Sequence, residues 1–107
     1  MANQQQLELL RQGVTEDWNR WRLEYPDTRP ELQAADLSGA NLASANLSGA
    51  DLSGASLVGA DLTAADLTEA NLTNANVRAA NLSWTKRDEA IITAEQLKLA
   101  RSPRDDF

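Results

Sequence analysis

Apolar and polar residues repeat with a period of five through the middle of the chain. Residues 35–84 form ten consecutive five-residue phrases with Ala in the first position and Leu in the third, where Val77 is the one departure. The second position is Asp or Asn in nine phrases and Ser56 in the other. A helix brings residues three and four apart onto one face and a strand alternates every two, so neither explains this period. The pattern predicts a coil that turns once per phrase.

The first and third positions of each phrase are expected to face the inside of this coil. The small Ala lets neighbouring sides approach closely, while the larger Leu fills the axis and leaves no cavity. The polar second, fourth and fifth positions then face water. The predicted core residues are Leu37, Leu42, Leu47, Leu52, Leu57, Leu62, Leu67, Leu72, Val77 and Leu82.

The phrases ADLSG, ANLSG, ADLTA and ANLTN resemble the A(D/N)LXX motif of the pentapeptide-repeat proteins. The resemblance implies an all-β solenoid, a right-handed quadrilateral β-helix in which about four phrases make one coil and residues about twenty apart stack. Leu32 fits a degenerate first phrase and Ile92 a resumed last one. We therefore assign residues 30–94 to a β-helix of about 2.5 to 3 coils.

The phrase at residues 85–89 breaks the pattern and attracts functional interest. It would place Arg87 at an inner position, which an unpaired charge does not occupy, so we expect residues 86–89 to bulge outward. Trp84 stands at an outward corner beside Lys86 and Arg87, and an exposed aromatic next to two cations is typical of a partner contact. Alternatively, the C-terminal helix covers Trp84 and the charges are only solvated.

The segment before the repeat carries one apolar stripe at helical spacing, from Leu7 to Tyr25. Gly13 indicates a break, and Thr15 is a candidate N-cap with two acidic residues after it. We predict helices at residues 3–12 and 16–24, together forming a helical cap at residues 1–29. Pro26 and Pro30 then lead an extended link into the repeat.

The sequence WNRWRLEY in this cap allows two interpretations. Trp18, Trp21 and Tyr25 can cover the open end of the core while Arg20 and Arg22 face water, which we favour because an uncovered end invites polymerisation. The alternative is an aromatic and arginine docking surface for nucleic acid or a protein, since Trp and Arg are enriched at binding hot spots.

The other end is predicted to be capped as well. Thr93 and Gln96 have the spacing of a capping box for a short α-helix over about residues 94–101. Ile92 and Leu97 can then lie over the last coil, and residues 95–107 form the capping helix and a tail that ends in Phe107.

Composition argues against an enzyme. The chain has no His and no Cys, which removes the commonest general base, thiol catalysis and zinc-thiolate sites. The repeat separates its carboxylates, so we expect no metal site and no cofactor, and we expect Asp and Asn to bond the backbone at corners. A net charge of −6 argues against binding to nucleic acid.

These observations favour a non-enzymatic protein-protein interaction or scaffold module with an unidentified protein partner. The resemblance offers an alternative, because some longer relatives mimic DNA and act on DNA gyrase. No segment reaches the length of about eighteen apolar residues that crosses a bilayer, and the N-terminal residues lack a signal-peptide core. We expect a cytoplasmic protein that is a monomer because both ends are capped.

Overall fold

Within the described residues, three short helices flank a coil that is held together by single-residue β-bridges. The computed structural model describes residues 2–100. The helices are α1 (Gln4–Arg11), α2 (Thr15–Glu24) and α3 (Ala94–Leu99). Between α2 and α3, parallel bridges join residues twenty apart, from the pair Glu31 and Asp51 to the pair Asn71 and Ile91. The register of twenty corresponds to four phrases per coil.

The coils stack through a hydrogen-bond pattern that repeats in each phrase. Leu37 donates its N–H to the Ser56 carbonyl at 2.8 Å, and Ser56 donates to the Ala35 carbonyl at 2.8 Å. In the part of the chain that the structure describes, the bridges define three coils, residues 31–50, 51–70 and 71–90. Because the chain turns at every phrase, each side is too short for a regular strand, and the fold is a β-helix-like solenoid.

Each phrase ends in a corner with a left-handed backbone. The fifth position has φ between 59° and 70° in every phrase from Ala34 to Glu89. Gly suits this conformation because it has no Cβ. Gly occupies only Gly39, Gly49, Gly54 and Gly59, so the other corners, including Trp84, hold a residue with a side chain in a conformation that costs about 1–2 kcal/mol.

The core is a stack of inward Leu side chains separated by inward Ala. All ten residues assigned to it from the sequence are buried, with 5% exposure or less. Leu32 is fully buried, and Glu31, in the second position of the same phrase, forms the first bridge. The first coil therefore includes the degenerate phrase. Ile91 bridges Asn71, so the last phrase resumes the register as well.

No coil precedes the first one in the described part of the chain, and side chains from α1 and α2 bond to its backbone edge. In the later coils these edge atoms bond to the preceding coil. Here Gln6 Oε1 accepts from Glu31 N at 2.6 Å, and the Trp18 indole donates to the Asn46 carbonyl at 2.8 Å. Three more edge atoms have partners in the helices. Arg11 donates to the Asp36 carbonyl, Asn19 accepts from Asn46 N, and Arg22 donates to the Ser48 carbonyl. The two helices therefore replace the hydrogen bonds of a missing coil.

The prediction that Arg22 faces water is wrong. Its side chain is only 8% exposed, and it donates to the carbonyls of Thr28 and Ser48 at 2.8 and 2.7 Å. Burial lowers the pKa of the guanidinium, and the charge of Asp66 partly opposes this. Arg22 thus ties the link after α2 to the first coil.

The cap also differs from the sequence interpretation at Thr15 and Tyr25. Val14, not Thr15, is the N-cap of α2, and it makes no side-chain cap bond, because Thr15 has already entered the helix. Tyr25 is 53% exposed rather than a cover of the core. It lies just after α2 and stacks on Trp21 at 5.8 Å, because its backbone leaves the helical conformation there.

The last helix covers part of the opposite end. Thr93 and Gln96 form the predicted capping box, and Gln96 also donates to the carbonyls of Leu72 and Ala75. Ala79 N donates to the Leu99 carbonyl at 2.9 Å. Ile92 and Leu97 are half-buried against the core. The helix therefore lies over residues 72–79, and the tail with Phe107 lies outside the described residues.

Candidate functional site

The expected bulge at residues 86–89 is wrong. Lys86 N donates to the Ala65 carbonyl at 3.0 Å, and Leu67 N donates to the Lys86 carbonyl at 2.7 Å, so the backbone stays in register. Arg87 nevertheless stays exposed, and its guanidinium donates to Thr85 Oγ1 at 2.8 Å. The inner position tolerates a charge here because the described chain places no further phrase above it and the side chain reaches water.

Trp84 lies at a corner of the third coil, and the alternative in which helix α3 covers it is wrong. The side chain is 87% exposed. Its backbone has φ of 65°, fixed by the same turn that closes every phrase, with Thr85 N donating to the Leu82 carbonyl at 3.3 Å. The fold therefore fixes the backbone of Trp84 and leaves its large aromatic ring in solvent.

Lys86 and Arg87 follow Trp84 on the same side of the coil, and both are exposed. Among residues 2–100 the one ion pair joins Arg20 and Asp17 at 3.5 Å, so neither cation is neutralised by a described carboxylate. Asp88 and Glu89 come next and are also exposed. The corner and side thus present an aromatic, two cations and two acids, which we call the Trp84 edge (residues 84–89).

The outward Asp and Asn residues serve the turns. Asp51 Oδ1 accepts from Ser53 N at 3.0 Å and from the Ser53 hydroxyl at 2.7 Å. In other phrases too, the N–H of the fourth residue donates to the side chain of the second. Along one ladder Asp61 lies between Asn41 and Asn81. Within residues 2–100, no three acidic residues come together as metal ligands.

A hydrogen bond from the Ser53 side chain is the main cause of a lowered pKa at Asp51. A carboxyl whose pKa is depressed in the folded state stabilises the fold above its unfolded value, 3.8, and loses this contribution as pH falls through the folded value. We expect Asp51→Asn to keep its turn bond at pH 7. The variant should lose less stability than the parent between pH 7 and pH 3, by under about 1 kcal/mol because solvent screens the charge. Urea unfolding at both values measures this, and equal losses would contradict it.

A cleft at Arg22 lies beside the link after α2. It has a volume of about 740 Å³ and is lined by Arg22 and Arg29 together with Asp27, Asp66 and Glu69. Arg29 donates to the Gly49 carbonyl at 2.6 Å, and Arg22 bonds carbonyls as described above. Both arginines are thus engaged in holding the link, and charges of both signs line the cleft.

Several residues that bind the first coil could not be recognised from the sequence. Arg11, Asn19 and Arg22 reach backbone atoms that lie 25 to 27 residues away along the chain. Their periodicity resembles that of any polar helix face. A count of the edge atoms left without a preceding coil would have indicated that such donors and acceptors are needed.

No described helix has the length and apolar character to cross a membrane. The search of curated proteins gave no match. The solved structures that align with the chain include three of pentapeptide repeat proteins. The first, from Nostoc Pcc 7120, is 39% identical, with 58% of this chain and 55% of that chain covered and a TM-score of 0.33.

The second similar structure is a protein from the Arabidopsis thaliana thylakoid lumen, 31% identical over 56% of this chain and 45% of its own, with a TM-score of 0.30. The third is from the cyanobacterium Cyanothece 51142, 38% identical over 56% of this chain and 48% of its own, with a TM-score of 0.28. The alignments thus span about half the length of each of these proteins.

The family model for pentapeptide repeats matches eight copies, over residues 31–68 and 45–83. The matched residues include most of the stacked bridges and the inward residues from Leu32 to Leu82. The uninterrupted phrases, their burial pattern and the model match together show that this chain belongs to the pentapeptide-repeat family.

Proposed function

We propose that this protein is a non-enzymatic interaction module that binds a protein partner through Trp84, Lys86 and Arg87. The observation that carries the proposal is the 87% exposure of Trp84 in a left-handed corner. Stability alone favours Gly at this corner, since an L side chain in this conformation costs about 1–2 kcal/mol and the exposed ring recovers little by burial. An exposed aromatic beside Arg is a composition typical of binding hot spots.

The arrangement of the helices supports partner binding at only one end of the solenoid, the end beside α3. In this proposal α1 and α2 act as a cap, because they bond the first coil's edge and bury Trp18 over the core. An end whose backbone is bonded offers no template for pairing. We propose that the protein is a monomer that receives its partner at the opposite end, beside α3.

The alternative of a DNA mimic acting on DNA gyrase gains no support from the described geometry. Three coils at about 4.8 Å per coil make a short stack. Each of the four ladders of bridged residues contains an uncharged residue, as where Asp61 lies between two Asn residues, so none of these ladders is a continuous row of acids. A mimic of B-DNA would need close to one negative charge per about 1.7 Å of axis.

Trp84→Gly separates binding from folding. We expect its free energy of unfolding to be unchanged or higher by up to about 1 kcal/mol, because Gly adopts the left-handed conformation without strain. We also expect it to lose the partner in a pull-down from a lysate of the source organism, with intact protein as the reference. Leu23→Ala is the matched control, since Leu23 is 79% exposed on α2 at the other end.

A partner retained by Leu23→Ala and lost by Trp84→Gly would support the proposal. A partner that both variants retain would contradict it. A clearly lower melting temperature for Trp84→Gly would also contradict it, because the ring would then stabilise the fold.

A further inference from the structure

The Trp84 edge has backbone groups without partners among residues 2–100. In the coil beneath, Ala64 N donates to the Ser83 carbonyl, Leu67 N to the Lys86 carbonyl and Glu69 N to the Asp88 carbonyl. The equivalent donors one coil later are the N–H groups of Trp84, Arg87 and Glu89, and none of them has a described acceptor. The Thr85 carbonyl is the equivalent acceptor, since the Ala65 carbonyl beneath it accepts from Lys86 N.

These four groups have the spacing of a parallel strand partner. The Thr85 carbonyl and the Arg87 N–H would bond the two backbone groups of one incoming residue, as the Ala65 carbonyl and the Leu67 N–H bond Lys86. Bare strand edges are templates for pairing with another chain, and peptides commonly bind proteins by adding a strand. The edge is exposed from Lys86 to Glu89.

We propose that the partner binds by adding an extended peptide segment to the Trp84 edge, parallel to residues 85–89, as one side of a fourth coil. This inference rests on the proposed interaction function and specifies how the partner is held. Trp84 then lies at the corner where the segment enters and supplies apolar contact area.

The charges of the edge specify the segment. Outward residues of successive coils stack, as Asp66 does beneath Lys86. The edge presents Lys86 first and Asp88 with Glu89 after it. A parallel segment that matches these charges has an acidic residue over Lys86 and a basic residue over Asp88. Between them an apolar residue would lie over the stem of Arg87.

Helix α3 favours a peptide over a second copy of this chain. The helix lies on the same end of the solenoid, bonded to residues 72–79. A helix with its side chains is about 10 Å thick, whereas paired strands lie about 4.8 Å apart. Two such ends cannot bring their edges together, while a single extended segment fits beside α3.

The test is an NMR titration of the intact protein with the peptide acetyl-Gly-Ala-Asp-Leu-Lys-Gly-Ala-amide. We expect saturable shifts of the amide signals of Trp84, Arg87 and Glu89, and none at Leu7 or Trp18. The control peptide exchanges Asp and Lys and so places like charges over both Lys86 and Asp88, and we expect it to bind more weakly by at least about threefold.

Two variants at one position separate the backbone from the charge. Arg87→Pro removes the central N–H donor, and we expect it to weaken binding about tenfold. Arg87→Ala keeps the N–H and should weaken binding much less. Equal affinity of the two variants would overturn the strand pairing, as would an absence of shifts at the edge in the parent protein. Because the wild-type shifts are mapped independently, poor folding of Arg87→Pro leaves the inference testable.

The two proposals fail in different ways. Loss of the lysate partner with Trp84→Gly, together with no peptide shifts at the edge, would keep the interaction function and reject the strand mechanism. If the peptide shifts the edge amides but the Trp84→Gly variant still captures the lysate partner, the proposed function is rejected. Edge amides already bonded in the free protein, whether to this chain's own C-terminal residues or to a second copy, would overturn the inference.

Discussion

Trp18→Ala is expected to lower the free energy of unfolding by about 3–5 kcal/mol, the range for removal of a buried large aromatic. Trp18 is fully buried over the first coil, and its indole donates to the Asn46 carbonyl at 2.8 Å. The variant loses the packing of the ring and leaves the carbonyl without its partner. For a domain of 11.7 kDa this is a large fraction of a total stability of about 5–15 kcal/mol.

Urea unfolding followed by circular dichroism measures the loss. Tyr25→Ala is the matched control, because Tyr25 is an aromatic of the same segment that lies largely in water, and we expect it to cost less than about 1 kcal/mol. Trp18→Phe should fall between them, since it keeps apolar area but removes the N–H donor. A Trp18→Ala protein with unchanged stability would show that α2 does not cover the core.

Exchanging Leu and Arg is expected to have a large effect on stability at one level of an inward ladder and a small effect one coil later. Leu67 is fully buried in the second coil, one coil beneath the exposed Arg87. Leu67→Arg places an unpaired cation between two coils, which should lower the free energy of unfolding by at least about 4 kcal/mol. Arg87→Leu should change the free energy of unfolding by less than about 1 kcal/mol.

Circular dichroism and urea titration of both variants measure these effects. A folded Leu67→Arg protein with a stability near that of the parent would contradict the closed core. A strongly destabilised Arg87→Leu protein would show that the Arg87 bond to Thr85 Oγ1 holds the last side in place.

The solenoid could be predicted from sequence because the repeat fixes it locally. Each phrase supplies its own inward Leu, its own turn and its own Asp or Asn to bond that turn, as at Asp51. Stacking then needs only that residues twenty apart meet, which the repeat makes equivalent. The register therefore continues through Leu32 and Ile91, where the consensus has already faded.

The ends could not be predicted in the same way. Arg22 was expected in water because its position in α2 indicates a polar residue, yet the edge of the first coil needs a donor there. That need arises only when the helix is placed against the coil. The bulge at residues 86–89 was predicted from a rule about buried charge, and the rule does not apply where no described phrase covers Arg87.

The candidate site was half predictable. Trp84, Lys86 and Arg87 stand out because they interrupt a repeat of small residues. Whether Trp84 was covered depended on the path of α3, which ends its bonding at Ala79 and leaves the ring in solvent. The bare backbone groups of the Trp84 edge have no signal in the sequence, because every phrase carries the same backbone.

The central claim is that one end of the solenoid is bonded by α1 and α2 while the other has an edge without partners among residues 2–100, and amide hydrogen exchange of the isolated protein tests it most directly. We predict slow exchange at Glu31 and Asn46, whose N–H groups are bonded by Gln6 and Asn19. We predict exchange near the rate of an unstructured chain at Trp84, Arg87 and Glu89. Slow exchange at these three amides, or fast exchange at Glu31 and Asn46, would contradict the account.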